Sequence, residues 1–214
     1  MARILVINPN CSAHCTAGID AAIGRFRHPD GPAIDVVTLL DGPPAIYTWR
    51  DWHAVVEPLC HRIEREAADV YVIACASDPG IEAARAATRR PVLGVFRAAV
   101  AAALAQAERF GVIAIVDASK ARHLAALRAM GCDSRLAAEV ALNVSMETLL
   151  EPVTVRTRLI EAARTCVAAG AGTLILGCTG MAHHRAPVEA AVGVTVIEPC
   201  QAAIALALAT VTDR

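Results

Sequence analysis

Aromatic side chains make up only 3% of the 214 residues, and 20 basic residues nearly balance 21 acidic ones. The chain therefore lacks both the stacking rings and the positive field that nucleic-acid recognition uses. Lysine is almost missing: Lys120, beside Ser119 at an expected helix start, is the only one, which argues against a pyridoxal Schiff base. Neither common spacing of a Gly-rich phosphate loop is present, so nucleotide dependence has no support. The apolar run in MARILVINPN is too short for a signal-peptide core, and export is not expected. A charge-free stretch at 165–182 approaches membrane-spanning length, but Gly170, Gly172, Gly177 and Gly180 break it into helix end, strand and turn, so no transmembrane helix is expected. No CxxC pair occurs, and eight cysteines without a secretory signal indicate free thiols in a reducing compartment, hence a cytoplasmic protein.

What is abundant is core-forming material, at 56% hydrophobic residues. Short Val- and Ile-rich runs predict strands at 3–8, 34–39, 70–75, 92–95, 112–117, 173–177 and 194–197. Between them, 12–26, 52–68, 80–90, 98–109, 119–131, 155–169, 184–191 and 199–212 have helical length and composition. That alternation implies an α/β protein with parallel sheets flanked by helices. ILVIN at 4–8 answers VIAIV at 112–116, so two pseudo-symmetric lobes are expected: 1–95 plus 196–214, and 96–195. No Pro/Gly/Ser linker separates them, which places a hinge in 92–99. Ligands of such sheets bind at the carboxyl ends of strands, so two facing edges would form a cleft.

Cys75 in VYVIACASDPG and Cys178 in TLILGCTGMA each close a buried strand and lead into a small-residue turn, at matching places in the two halves. A helix N-terminus beyond such a turn favours a thiolate, and two thiols so placed suggest acid and base acting from opposite sides of a ligand. An isolated buried cysteine reads as packing; the pairing favours function. The loops Asn8-Pro9-Asn10, Cys75-Ala76-Ser77-Asp78, Asp117-Ala118-Ser119 and Cys178-Thr179-Gly180 would converge there, offering backbone donors to a small anionic or carbonyl-rich ligand. Asn8 and Ser119 read equally well as turn or cap residues. Cys11 and Cys15 flank His14 in CSAHC, but no second ligand pair at zinc-finger spacing accompanies them, so structural thiols are the preferred reading and no metal is expected. His183 and His184 are neighbours that a helix would point in different directions.

With these motifs in view, the chain resembles the aspartate/glutamate racemase superfamily and, within it, the hydantoin racemase family, almost end to end. The resemblance rests on INPN at 7–10 with Ser12, GPPAI at 42–46, ACASDPG at 74–80, FGVI at 110–113 and LGCTGMA at 176–182. It implies cofactor-independent racemisation or epimerisation with Cys75 and Cys178 catalytic, and Asn8, Ala76, Ser77, Ser119, Thr179 and Gly180 at substrate-holding positions. The substrates so implied are 5-substituted hydantoins or allantoin-like compounds. Three departures bear on substrate choice: Tyr47 and Arg97 stand where relatives commonly carry Glu, and Ala76-Ser77 replaces a bulkier residue beside the first cysteine.

The expected partner is a small molecule, with no nucleic acid, no membrane and no cofactor, in a homo-oligomer. Within the superfamily the alternatives are an aspartate/glutamate-type racemase or a maleate-type cis–trans isomerase, while two intact cysteines speak against a decarboxylase. Outside it, the alternatives are a non-catalytic ligand-binding protein on the same fold and a thiol redox protein, the latter disfavoured by the missing CxxC.

Overall fold

The computed structural model describes residues 1–149 and 152–212; of the lobe ranges expected above, positions 150, 151, 213 and 214 lie outside the described residues. Among the described residues, eight strands form two parallel four-stranded sheets. The first contains β1 (Arg3–Asn8), β2 (Ala33–Thr38), β3 (Val70–Ile73) and β4 (Val92–Gly94) in the order β2-β1-β3-β4. The second contains β5 (Phe110–Ala114), β6 (Leu136–Ala141), β7 (Thr173–Gly177) and β8 (Thr195–Ile197) in the order β6-β5-β7-β8. The two orders are the same path traced twice, so β1 and β5 are counterparts; the strand register sets ILVIN at 4–8 against FGVIA at 110–114, two residues before the expected VIAIV.

Strands β3, β5 and β7 are buried at every residue and β1 at all but its first, because helices cover both faces of each sheet. Alternation along β1 shows the division of labour. Ile4 and Val6 face α1 (Ala13–Ile23) and α10 (Pro199–Thr212), whereas Leu5 and Ile7 face α3 (Val56–Arg65) and α4 (Ile81–Ala86). In the second sheet, Ile113, Leu174 and Leu176 pack on α8 (Pro152–Ala168) and α9 (Arg185–Val192). Phe110, Val112 and Ile175 pack on α5 (Val95–Leu104) and α6 (Asp117–Ala129). Each fully buried Leu, Ile or Phe contributes about 1.5–3 kcal/mol, so these layers dominate stability. Helices α5 and α10 pack on each other and touch strands of both sheets, holding the two sheets together.

Several elements differ from the sequence expectation. Strand β6 was not expected: LAAEVA has one β-branched residue and no alternation, and as an edge strand it is only half-buried. The short helix α7 (Met146–Leu149) was not expected either. The helix expected at 52–68 is two: α2 (Trp49–Ala54), held by a capping box between Thr48 and Asp51, and α3. No helix among the described residues is long and apolar enough to cross a membrane.

Candidate active site

Both paired cysteines lie just past the carboxyl ends of corresponding central strands of the two sheets, Cys75 after β3 and Cys178 directly after β7. They line one pocket of about 50 Å³. Ala76, Ser77, Ser119 and Thr179 line it with them, as do Asn10, Tyr47, Arg122 and His123. A pocket this small suits a compact ligand.

The turn that carries Cys75 is fixed by Asp78, a non-glycine residue in the left-handed region at φ 45°. Its side chain is fully buried and caps α5: Phe96 N donates to Oδ1 at 2.8 Å, while Arg97 N and Nη1 donate to Oδ2 at 2.9 and 3.1 Å. Arg97 also pairs with Glu82 at 2.8 Å, so its charge is spent on the turn and it does not line the cysteine pocket. The Ser77 carbonyl accepts from Trp52 Nε1 at 3.1 Å, and Ser77 Oγ lies 3.5 Å from the Cys75 sulfur. Cys178 is the N-cap of a 3-10 turn, Thr179–His184, and the Gly180 N–H is directed to its sulfur.

Burial pushes both thiols up. For Cys75 the opposing influences are the Ser77 hydroxyl, the Ser77 N–H and the positive charge of Arg122. Cys178 is pushed up to about 12, burial first, with the Gly180 N–H opposing and the Cys75 charge adding to the rise. The expectation that helix N-termini hold these thiols near neutrality is thus corrected. Helix α4 begins only at Ile81 and is six residues long, and Cys178 enters a 3-10 turn, while the dipole effect decays within the first turn. Since each thiolate disfavours the other, the pair holds at most one negative charge through the neutral range. It follows that iodoacetamide alkylation of Cys75 should quicken about tenfold per pH unit between pH 7 and 8.5, ahead of Cys178, as the thiolate fraction below a raised pKa does. A rate flat across that interval, followed by mass spectrometry of the labelled peptide, would contradict this.

Two expected substrate positions lie elsewhere. Asn8 is fully buried and does not line the pocket: the two protons of its Nδ2 are shared among Asn10 Oδ1 (3.1 Å), Ser12 O (3.2 Å) and Thr16 Oγ1 (3.0 Å), so it shapes the INPN loop, and Asn10 lines the pocket. Gly180 borders a neighbouring cavity of about 390 Å³ with His14, Cys15 and His183. No cluster of three or more metal-ligating side chains occurs among the described residues. The His183 and His184 rings, expected to diverge, lie 3.8 Å apart because they end a 3-10 turn, and burial holds His184 down at about 4.

Arg122 and His123 escaped the sequence reading. Helix α6 buries Ser119, Arg122, His123, Ala126 and Leu127, a face of helical spacing whose first turns carry polar residues where apolar ones belong. That mismatch was the available signal. Arg122 Nη2 donates to Ser119 Oγ at 3.2 Å, which leaves the Ser119 hydroxyl proton to point at a ligand. His123 lines the pocket, stacks on Phe96 and has its Nδ1 2.5 Å from Glu139 Oε1, the two side chains being buried.

Comparison with known proteins places this geometry in context. Residues 4–207 match the family model described as Asp/Glu/Hydantoin racemase. The chain is 34% identical over 214 residues to a hydantoin racemase of Paenarthrobacter aurescens, covering 96% of this chain and 89% of that one. It superposes on an allantoin racemase from Klebsiella pneumoniae with a TM-score of 0.88 at 26% identity, covering 99% of this chain and 88% of that one. With the allantoin racemase from Pseudomonas fluorescens the TM-score is 0.90 at 23% identity, over 98% and 91% of the two chains, a likeness of fold.

Proposed function

We propose that this chain, which belongs to the Asp/Glu/hydantoin racemase family and is an isomerase of the racemase class, inverts the stereocentre beside a carbonyl in 5-substituted hydantoins or allantoin-like compounds, with Cys75 and Cys178 as the two acid–base groups. The observation that carries this reading is that two thiols from different sheets line one small pocket.

One cysteine, as thiolate, takes the hydrogen from the stereogenic carbon, and the C–H electron pair moves onto the adjacent carbonyl to give a planar enolate. The other, as thiol, returns a proton to the opposite face, and its sulfur keeps the charge. The pair is then set for the reverse reaction, and no electron leaves or enters. Ser77, Ser119 and Thr179 supply hydroxyls on the pocket wall for the enolate oxygen. Acid–base groups of this kind contribute about 10²–10⁴ in rate each. The likeness to a hydantoin racemase and to an allantoin racemase supports the substrate class.

The test is incubation in D₂O with single enantiomers of 5-substituted hydantoins, allantoin, aspartate and glutamate, and with maleate, each against an enzyme-free control. Deuterium incorporation with loss of optical rotation is expected for the hydantoin-type compounds. Turnover confined to aspartate, glutamate or maleate would assign the chain to a different reaction of the family.

A further inference from the structure

We propose that Arg122 makes the cysteine pocket selective for a substrate that carries a carboxylate, which pairs with the guanidinium while the stereogenic carbon lies between the thiols. This rests on the racemase reading above and adds to it the charge of the substituent.

Arg122 is 3% exposed, yet its guanidinium has no carboxylate within ion-pair distance among the described residues. Of its five N–H donors, three are used: Nη1 donates to the Tyr47 carbonyl (3.1 Å) and the Ala118 carbonyl (3.0 Å), and Nη2 to Ser119 Oγ (3.2 Å). All three acceptors are neutral. The Nε–H is buried and has no acceptor. Among the described residues Arg122 forms no ion pair with a carboxylate; the acid that feels its charge is Asp51, whose Oδ2 already accepts from Tyr47 N (3.1 Å), Thr48 N (2.8 Å) and Thr48 Oγ1 (2.8 Å). No acidic side chain lines the pocket among the described residues, and Glu139, which lies behind it, is taken by His123.

Buried cations are rarely left unpaired, because desolvation without an opposite charge is costly. A Cys75 thiolate is the competing counter-ion, and Arg122 does draw that thiol down; burial nevertheless keeps Cys75 above its ordinary value, so near neutrality the sulfur is mostly uncharged. An incoming carboxylate fills the role better, since the planar guanidinium fork matches its geometry. The Tyr47 carbonyl, from the loop before α2, holds Arg122 Nη1, and the Trp49 ring lies 5.9 Å from the guanidinium carbon, so the cation is fixed in place at the pocket wall.

The test compares alkylation of Cys75 by anionic iodoacetate and neutral iodoacetamide in the parent, Arg122→Gln and Arg122→Lys, with the site read by peptide mapping. The iodoacetate-to-iodoacetamide rate ratio should fall about tenfold in Arg122→Gln, the size of one charge-assisted hydrogen bond, and stay within about threefold in Arg122→Lys. An unchanged ratio in Arg122→Gln overturns the proposal, as does equal slowing by both reagents, which would make Arg122 a thiolate counter-ion alone. Should Arg122→Gln fail to fold, the parent decides. Hydantoin-5-acetate should shield Cys75 from iodoacetamide at about tenfold lower concentration than the corresponding amide, and equal shielding, or none by the acid, overturns the proposal. Absence of deuterium exchange in any hydantoin would instead remove the racemase reading and leave the alkylation ratio to decide Arg122.

Discussion

Cys75→Ser and Cys178→Ser are each expected to lower kcat/KM for racemisation of a hydantoin about a thousandfold, with the circular dichroism spectrum unchanged. A serine hydroxyl keeps the shape of the thiol but cannot give up its proton near neutrality, so each substitution removes one acid–base group, worth about 10²–10⁴. Both losses should be large because inversion needs a group on each face of the planar intermediate. Cys60→Ser, on α3 and outside the pocket, should racemise at the parent rate. If either pocket variant stays within tenfold of the parent by polarimetry, the two-thiol mechanism is wrong.

Gly94→Ala should cost about 1–3 kcal/mol of stability and at least tenfold in turnover, although residue 94 does not line the pocket. A Cβ at Gly94 would fall 2.3 Å from Asp78 Cγ and 2.4 and 2.6 Å from its two carboxylate oxygens. That carboxylate is the cap of α5 and the anchor of the turn bearing Cys75, so moving it shifts the sulfur as well as strands two backbone N–H groups. Urea denaturation reads the first effect and single-substrate kinetics the second. A midpoint and a kcat/KM both equal to the parent's would show that Asp78 does not position Cys75.

The sequence carried the architecture wherever strands are covered on both faces, since β1, β3, β5 and β7 are unbroken apolar runs. It failed at β6, whose edge position asks for neither β-branched residues nor alternation. The two cysteine turns were legible because each closes such a run. Arg122 and His123 were not, because their meaning depends on which face of α6 turns inward, and only tertiary packing sets that. The three departures sorted themselves by contact: Tyr47 and Ala76 line the pocket, whereas Arg97 is the partner of Asp78 and Glu82. Asn8, a polar strand-end residue, has its amide engaged by its own loop, a partnership that only the folded loop reveals.

The central claim is that two thiols serve opposite faces of one carbon, and early-time isotope distribution tests it most directly. A single hydantoin enantiomer is incubated in D₂O and stopped after a few per cent conversion, and the two enantiomers are separated and weighed by mass spectrometry. Two-base transfer predicts deuterium in the newly formed enantiomer and almost none in the recovered starting one. Equal deuterium in both would mean that a single group works both faces, and would contradict the assignment of Cys75 and Cys178 as partners.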